Sequence, residues 1–160
     1  MFYLDLFKSL EKHQVEYLLV GGLAMNLHGV PRMTMDVDLI LALNEKNLDR
    51  FFLVVDDLAL TPAFPIALED LKSPEQKAKW IKEKNMSEFS MRSKDARGPS
   101  LDILIAHPLD WKESYQRGIG KIIEGTTINL AAIQDMIRLK EFAGRAQDLS
   151  DLEHLKKMTQ

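Results

Sequence analysis

The sequence predicts a mixed α/β domain. Two observations carry this. Short apolar or alternating segments, the mark of strands, take turns along the chain with segments of helical period. The residues between them are breakers and caps: Gly21-Gly22, Gly29, Pro31, Asn44, Ser73-Pro74 and Gly144. At 160 residues and 46% hydrophobic content, the chain is long and apolar enough for one domain with its own core.

Residues 2–14 set Phe2, Leu6, Phe7 and Leu10 on one helical face. "VEYLLV" (15–20) reads as a buried strand. Gly21 and Gly22 open a short helix, "LAMNLHG", closed by Gly29 and Pro31. "MDVDLILAL" (35–43) is a second strand. Asn44 caps a helix over 44–60. The two prolines of "TPAFPIALED" (61–70) make that stretch a loop with a short turn. Ser73 with Pro74 begins a helix over 73–85. "MSEFSMRS" (86–93) alternates as a strand, 94–100 is a turn, and "LDILIAH" (101–107) is the next strand. A short helix (108–118) follows, and "KIIEGTTINLA" (121–131) contains a strand. Two helices, about 131–143 and 146–158, flank Gly144. The expected organisation is a single domain over 1–160, with a core at about 15–130 and a C-terminal helical pair at about 131–158. There is no internal repeat and no low-complexity segment.

Several function classes are excluded by composition. The formal net charge is -3, so no global basic field recruits nucleic acid. Without cysteine there are no disulfides, zinc-thiolate sites or thiol nucleophiles. No apolar run is long enough to span a bilayer, and the N-terminal stretch carries Asp5 and Glu11 where a signal peptide is apolar. The expectation is a cytoplasmic protein with no membrane partner.

The chemistry concentrates in "LVGGLAMNLHGVPRMTMDVDLIL" (19–41). Side chains alternate along a strand, so Asp36 and Asp38 face one way and Val37 the other. Neighbouring carboxylates repel, and a divalent cation relieves the repulsion; magnesium favours a few carboxylates plus phosphate oxygens. Asp-x-Asp alone is weak, since thirteen aspartates yield about one such pair by chance. The plain alternative is two solvated acids at a strand end. The glycine pair shifts the balance, because it stands where a strand hands over to a helix. Bare glycines let a ligand approach the backbone, and a helix start suits phosphate. The spacing matches neither a P-loop nor a dinucleotide fingerprint, and "GIGK" (118–121) reads as a helix stop. Arg32 and Thr34 are within reach of phosphate oxygens. Asp102, in the apolar "SLDILIA", adds a third strand acid, and the trio fits a two-metal site.

A Gly-Gly or Gly-Ser turn, Asp-x-Asp on the next strand and a third Asp on a later strand resemble the signature of the nucleotidyltransferase superfamily, the polymerase beta-like enzymes. "GGLAMNLHGVPRMTMDVDL" is most similar to the branch of AbiEii-type toxins of toxin–antitoxin systems. "IRLKEFAGRAQDLSDLEHL" (137–155) resembles that branch's C-terminal motif. The resemblance implies the nucleotidyltransferase fold: a mixed sheet flanked by helices, with two helices at the C-terminus. It implies Gly21 and Gly22 at the phosphate turn, Asp36 and Asp38 on metal, and Asp102 as third ligand or base. Lys140 would point at the nucleotide, with Arg145 and Asp148 near it. The toxin relatives carry a further basic residue between the second and third aspartates, for which Lys84 and Arg92 are the candidates. Many relatives have Ser where this chain has Gly22, so one hydroxyl contact to phosphate is missing.

The implied activity is Mg²⁺- or Mn²⁺-dependent transfer of a nucleoside monophosphate from an NTP to an acceptor, with release of pyrophosphate. Toxin relatives suggest tRNA or another RNA end as acceptor and an antitoxin protein as partner. The alternative is a nucleotide-binding regulatory module with little catalysis.

Overall fold

The computed structural model describes residues 2–95 and 97–159. The chain runs α1 (Phe2–Lys12), β1 (Tyr17–Val20), α2 (Gly21–Leu27), β2 (Val37–Leu41), α3 (Glu45–Asp57), β3 (Thr61–Pro62), a 3₁₀ turn (Leu68–Lys72), α4 (Pro74–Glu83), β4 (Glu88–Arg92), β5 (Ser100–Leu104), α5 (Trp111–Arg117), β6 (Ile119–Ile123), β7 (Thr126–Leu130), α6 (Ile133–Ala143) and α7 (Ala146–Met158). Side-chain caps fix three of the helix starts. Asn44 accepts the Asn47 N–H at 2.9 Å, Ser73 the Gln76 N–H at 3.1 Å, and Asp110 the Glu113 N–H at 2.9 Å.

The strands form one seven-stranded mixed sheet in the order β3-β4-β5-β2-β1-β7-β6. β1 pairs antiparallel with β2 and parallel with β7, β2 pairs parallel with β5, and β4 pairs antiparallel with β5. Directly paired residues share a sheet face. One face therefore carries Leu19, Leu39, Ile103 and Phe89 in a row, beside Tyr17, Leu41, Val37, Leu101 and Met91. All of these are buried. α1 covers this face through Phe7 against Tyr17, and α4 through Trp80 against Phe89. On the opposite face the pattern breaks, because Asp38, Asp102, Ser90 and Glu88 occupy its centre. Among the described residues, no helix is long and apolar enough to cross a membrane.

Two segments differ from the sequence expectation. "KIIEGTTINLA" holds a hairpin and not a single strand: β6 and β7 pair antiparallel across Glu124 and Gly125, both with positive φ. Gly118 does end α5, as a helix stop should, but the following Ile-Gly-Lys belongs to the edge strand β6. The proline-broken stretch 61–70 contributes the two-residue strand β3, which pairs with Arg92 and Met91.

The glycine pair is explained by the chain's own packing. Gly21 has φ +72°, and a Cβ there would stand 2.2 Å from Asp38 Oδ2. A Cβ on Gly22 would stand 2.9 Å from the Thr34 side chain and 3.2 Å from Arg32 Nη1. The space beside Gly21 is thus filled by Asp38 of β2, and that beside Gly22 by Thr34 and Arg32 of the segment that leads into β2. Gly22→Val should lower stability by about 1–3 kcal/mol, as overpacking in a filled site does. Denaturant unfolding should also show part of that loss restored by adding Thr34→Gly. A Gly22→Val protein as stable as its parent would show that the segment yields freely.

Candidate active site

The acidic cluster is a product of sheet register. Val20 lies opposite Asp38, Asp38 opposite Asp102, and Asp102 opposite Ser90, so one row crosses four strands. Glu88, two residues before Ser90, falls on the same face. Asp38, Glu88 and Asp102 each offer a carboxylate oxygen, and these oxygens all lie within 4.8 Å of one another. Asp36 stands just outside this arrangement. β2 begins at Val37, so Asp36 belongs to the approach segment and not to the strand. Its Oδ1 accepts the Ser100 backbone N–H at 3.2 Å, which pins that segment to the start of β5.

Burial pushes the Asp38 carboxyl up to about 7, and the charges of Asp102, Glu88 and Asp36 add to the rise; Lys140 opposes it. Among the described residues no hydrogen bond or ion pair reaches the Asp38 carboxylate. Asp102 is raised too, by burial first. The Ser90 and Ser100 hydroxyls and the charge of Arg92 hold it down, while Asp36 adds to the rise; of the two serines, Ser100 donates to it, at 3.3 Å. Glu88 is raised by burial and by Asp102, with Arg145 acting against. The cluster is short of positive charge, and its donors are all hard oxygens. That set fits Mg²⁺ or Mn²⁺, which take carboxylate and phosphate oxygens.

The facing wall comes from the C-terminal helices. Gly144, left-handed at φ 64°, ends α6 and turns the chain back so that the first turns of α7 return to Lys140. Lys140 is only 8% exposed, and its Nζ lies 3.2 Å from Asp148 Oδ1 and 3.0 Å from Asp151 Oδ2. Asp148 Oδ2 accepts from the Arg145 backbone N–H at 3.1 Å and from Arg145 Nε at 2.9 Å. Burial alone would raise the Asp148 carboxyl. The hydrogen bonds from Arg145 and Lys140 outweigh it and hold the group below its usual range.

The acids and the cations line one cavity of about 540 Å³. Every site residue singled out in the sequence is on its lining: Gly21, Gly22, Arg32, Thr34, Asp36, Asp38, Asp102, Lys140, Arg145 and Asp148. Asp148 lines it from a buried position, already engaged with Arg145 and Lys140. Sequence reasoning missed Glu88, although the alternation of "SEFSMR", with Phe89 and Met91 buried, places Glu88 and Ser90 together on the other face. It also missed an apolar wall, made of Met136, Leu139 and Phe142 on α6 with Leu104 and Ala106. Neither Lys84 nor Arg92 lines the cavity. Lys84 follows α4, which packs on the opposite face, whereas Arg92 shares the face of Ser90 and its charge is felt at Asp102.

Comparison with known proteins supports the architecture. No family model matches the chain, and no curated protein sequence matches it. Among solved structures it is similar to ANT(2")-Ia in complex with adenylyl-2"-tobramycin, with 12% identity and a TM-score of 0.61, over 99% of this chain and 88% of that one. It is also similar to an antigenic nucleotidyltransferase-like protein from Paracoccidioides brasiliensis, with 15% identity and a TM-score of 0.56, over 96% of this chain and 72% of that one. At these identities the likeness is one of fold, and the fold is that of the nucleotidyltransferases.

Proposed function

We propose that this chain is a Mg²⁺-dependent nucleotidyltransferase that moves a nucleoside monophosphate from an NTP to an acceptor and releases pyrophosphate. One observation carries the reading: a carboxylate cluster short of positive charge and a cationic wall face each other across a single cavity. Asp38, Asp102 and Glu88 would hold the metal, with Asp36 beside them. Bound magnesium supplies Lewis-acid stabilisation of the charge that develops on the transferred phosphate. Lys140, Arg145 and Arg32 would take the phosphate oxygens, as fixed cations suit phosphate recognition. The α6 wall of Met136, Leu139 and Phe142 offers apolar surface to the nucleobase. Asp102, which accepts from the Ser100 hydroxyl, has a carboxylate oxygen within 4.8 Å of those of Asp38 and Glu88.

The acceptor we favour is an RNA end, tRNA in particular. The ground is the likeness of the glycine turn, the aspartate pair and the C-terminal motif to the AbiEii-type branch. A toxin–antitoxin role with an antitoxin protein as partner rests on the same likeness. ANT(2")-Ia, on a similar fold, holds adenylyl-2"-tobramycin, so an aminoglycoside is the natural contrast. The test is incubation with each α-labelled NTP and Mg²⁺, in the presence of total tRNA or of an aminoglycoside. Label should move to tRNA and should not move in EDTA. Transfer to the aminoglycoside would replace the acceptor, and no transfer to any acceptor would contradict the enzyme reading.

The Asp38 carboxyl gives this site a pH signature. Its proton is held in the folded state up to about pH 7 and in an unfolded chain only to about pH 4. Through this group the metal-free protein therefore loses stability as pH rises from about 4 to about 7, and no further above that. Metal binding runs the other way, because a metal must displace the proton. Mn²⁺ affinity should rise by up to about tenfold per pH unit toward pH 7 and then level off. An affinity constant between pH 5.5 and pH 8 would remove Asp38 from the ligand set.

A further inference from the structure

We propose that Asp151 is a positioning residue of the nucleotide site, holding Lys140 and Arg32 from behind the cavity wall in the places where they meet the triphosphate. The proposal rests on the reading above that this cavity binds an NTP.

Lys140 and Arg32 line the cavity, and Asp151 does not. Asp151 is 3% exposed. Its Oδ2 stands at ion-pair distance, 3.0 Å from Lys140 Nζ and 3.1 Å from Arg32 Nη1, without the geometry of a hydrogen bond to either, and its Oδ1 accepts from Gln147 Nε2 at 3.2 Å. One carboxylate oxygen thus joins α6 to the segment before β2, two parts of the chain far apart in sequence. Arg32 is held from the other side as well. Its backbone N–H donates to Asn26 Oδ1 at 3.0 Å, and its Nη1 lies over Gly22.

Packing alone does not explain this arrangement. Apolar side chains of similar volume often stabilise a fold as well as a buried ion cluster or better. Here the two cations are placed on a cavity wall, and the carboxylate that pairs them is set behind. Two cations so close repel each other, and the shared oxygen holds them at their spacing. Donors fixed before the ligand arrives lose less freedom when it binds. The two cations differ in how far they depend on Asp151. Lys140 keeps Asp148 as a second partner, whereas among the described residues Arg32 has no other carboxylate. Loss of the Asp151 charge therefore frees Arg32 first.

The test compares parent, Asp151→Asn, Arg32→Gln and the double variant by calorimetry with Mg-NTP, Mg-NMP and Mn²⁺ alone, alongside their melting temperatures. Asp151→Asn should weaken NTP binding by about tenfold or more, the scale of one charge-assisted contact. Affinity for NMP and for Mn²⁺ should stay nearly unchanged. Arg32→Gln should give a similar loss, and the double variant little more, since the two residues act as one unit. A purely structural role, loosening the α6–α7 wall, would lower the melting temperature and weaken Mg-NMP and Mg-NTP binding together. That result, additive losses or full NTP affinity in a folded Asp151→Asn would overturn the proposal. Should Asp151→Asn fail to fold, Arg32→Gln decides: full NTP affinity there overturns it as well. A parent protein that binds no NTP would instead overturn the nucleotidyltransferase reading on which the proposal stands.

Discussion

Asp38 and Asp102 are held side by side by backbone pairing, and the rest of the site is arranged around that constraint. β2 and β5 run parallel with these residues in register. Neither carboxylate can turn away without leaving the sheet face it shares with the other. β4 adds Glu88 to the same face. Like charges this close, partly out of water, are accommodated in only a few ways: by taking up protons, by pairing with cations of the protein or by binding a metal. The protein's own cations do not take this role, because Lys140 and Arg145 are engaged with Asp148 and Asp151. What is left is the proton on Asp38, held to about pH 7, and an affinity for hard cations.

The opposite wall is built by a different device. A single left-handed glycine ends α6 and folds α7 back along it, so that α7 presents Asp148 and Asp151 to Lys140. The sheet therefore supplies excess negative charge from residues placed by strand register. The helical pair supplies positive charge from residues placed by ion pairing. The two walls meet at the Gly21-Gly22 turn, where Asp38, Thr34 and Arg32 crowd into the space that side chains would need. This is a second reason for the glycines, beside any approach by a ligand: Gly21 leaves room for Asp38 of β2, and Gly22 for Thr34 and Arg32 of the segment before it.

The parts of this architecture that depend on local pattern were legible in the sequence. Apolar runs placed Asp38 and Asp102 in strands, though Asp36, expected in the same strand as Asp38, falls just before it, and the cap residues Asn44 and Ser73 marked helix starts that the structure keeps. The glycine turn and the helical pair were equally plain. Glu88 was not found, because its place in the cluster follows from the antiparallel register of β4 on β5, a pairing between separate segments that no local window contains. The role of Asp151 depends in the same way on the path of the chain after Gly144. The β6–β7 hairpin did carry a signal, the Glu124-Gly125 pair between two alternating runs, but a short apolar segment next to a glycine-rich helix end reads equally well as one strand. Neither basic residue weighed for the site from sequence lines the cavity. Sequence spacing cannot tell which sheet face a lysine or arginine reaches.

An Asp38 that holds a metal and an Asp38 that holds the fold differ in sign. Asp38→Asn keeps the shape and removes one charge from a crowded cluster. The most direct measurement is the unfolding free energy of this variant and its parent at pH 8, once in EDTA and once with Mg²⁺ and NTP. With a metal-holding Asp38, the variant in EDTA is no less stable than its parent and gains on the order of 1 kcal/mol. Most of the stabilisation by Mg²⁺ and NTP is then lost as well, since a ligand bound only by the native state stabilises by mass action. A loss of about 3 kcal/mol or more in EDTA, the scale of breaking a buried charged contact, with the ligand-induced gain retained, would contradict the metal-holding role.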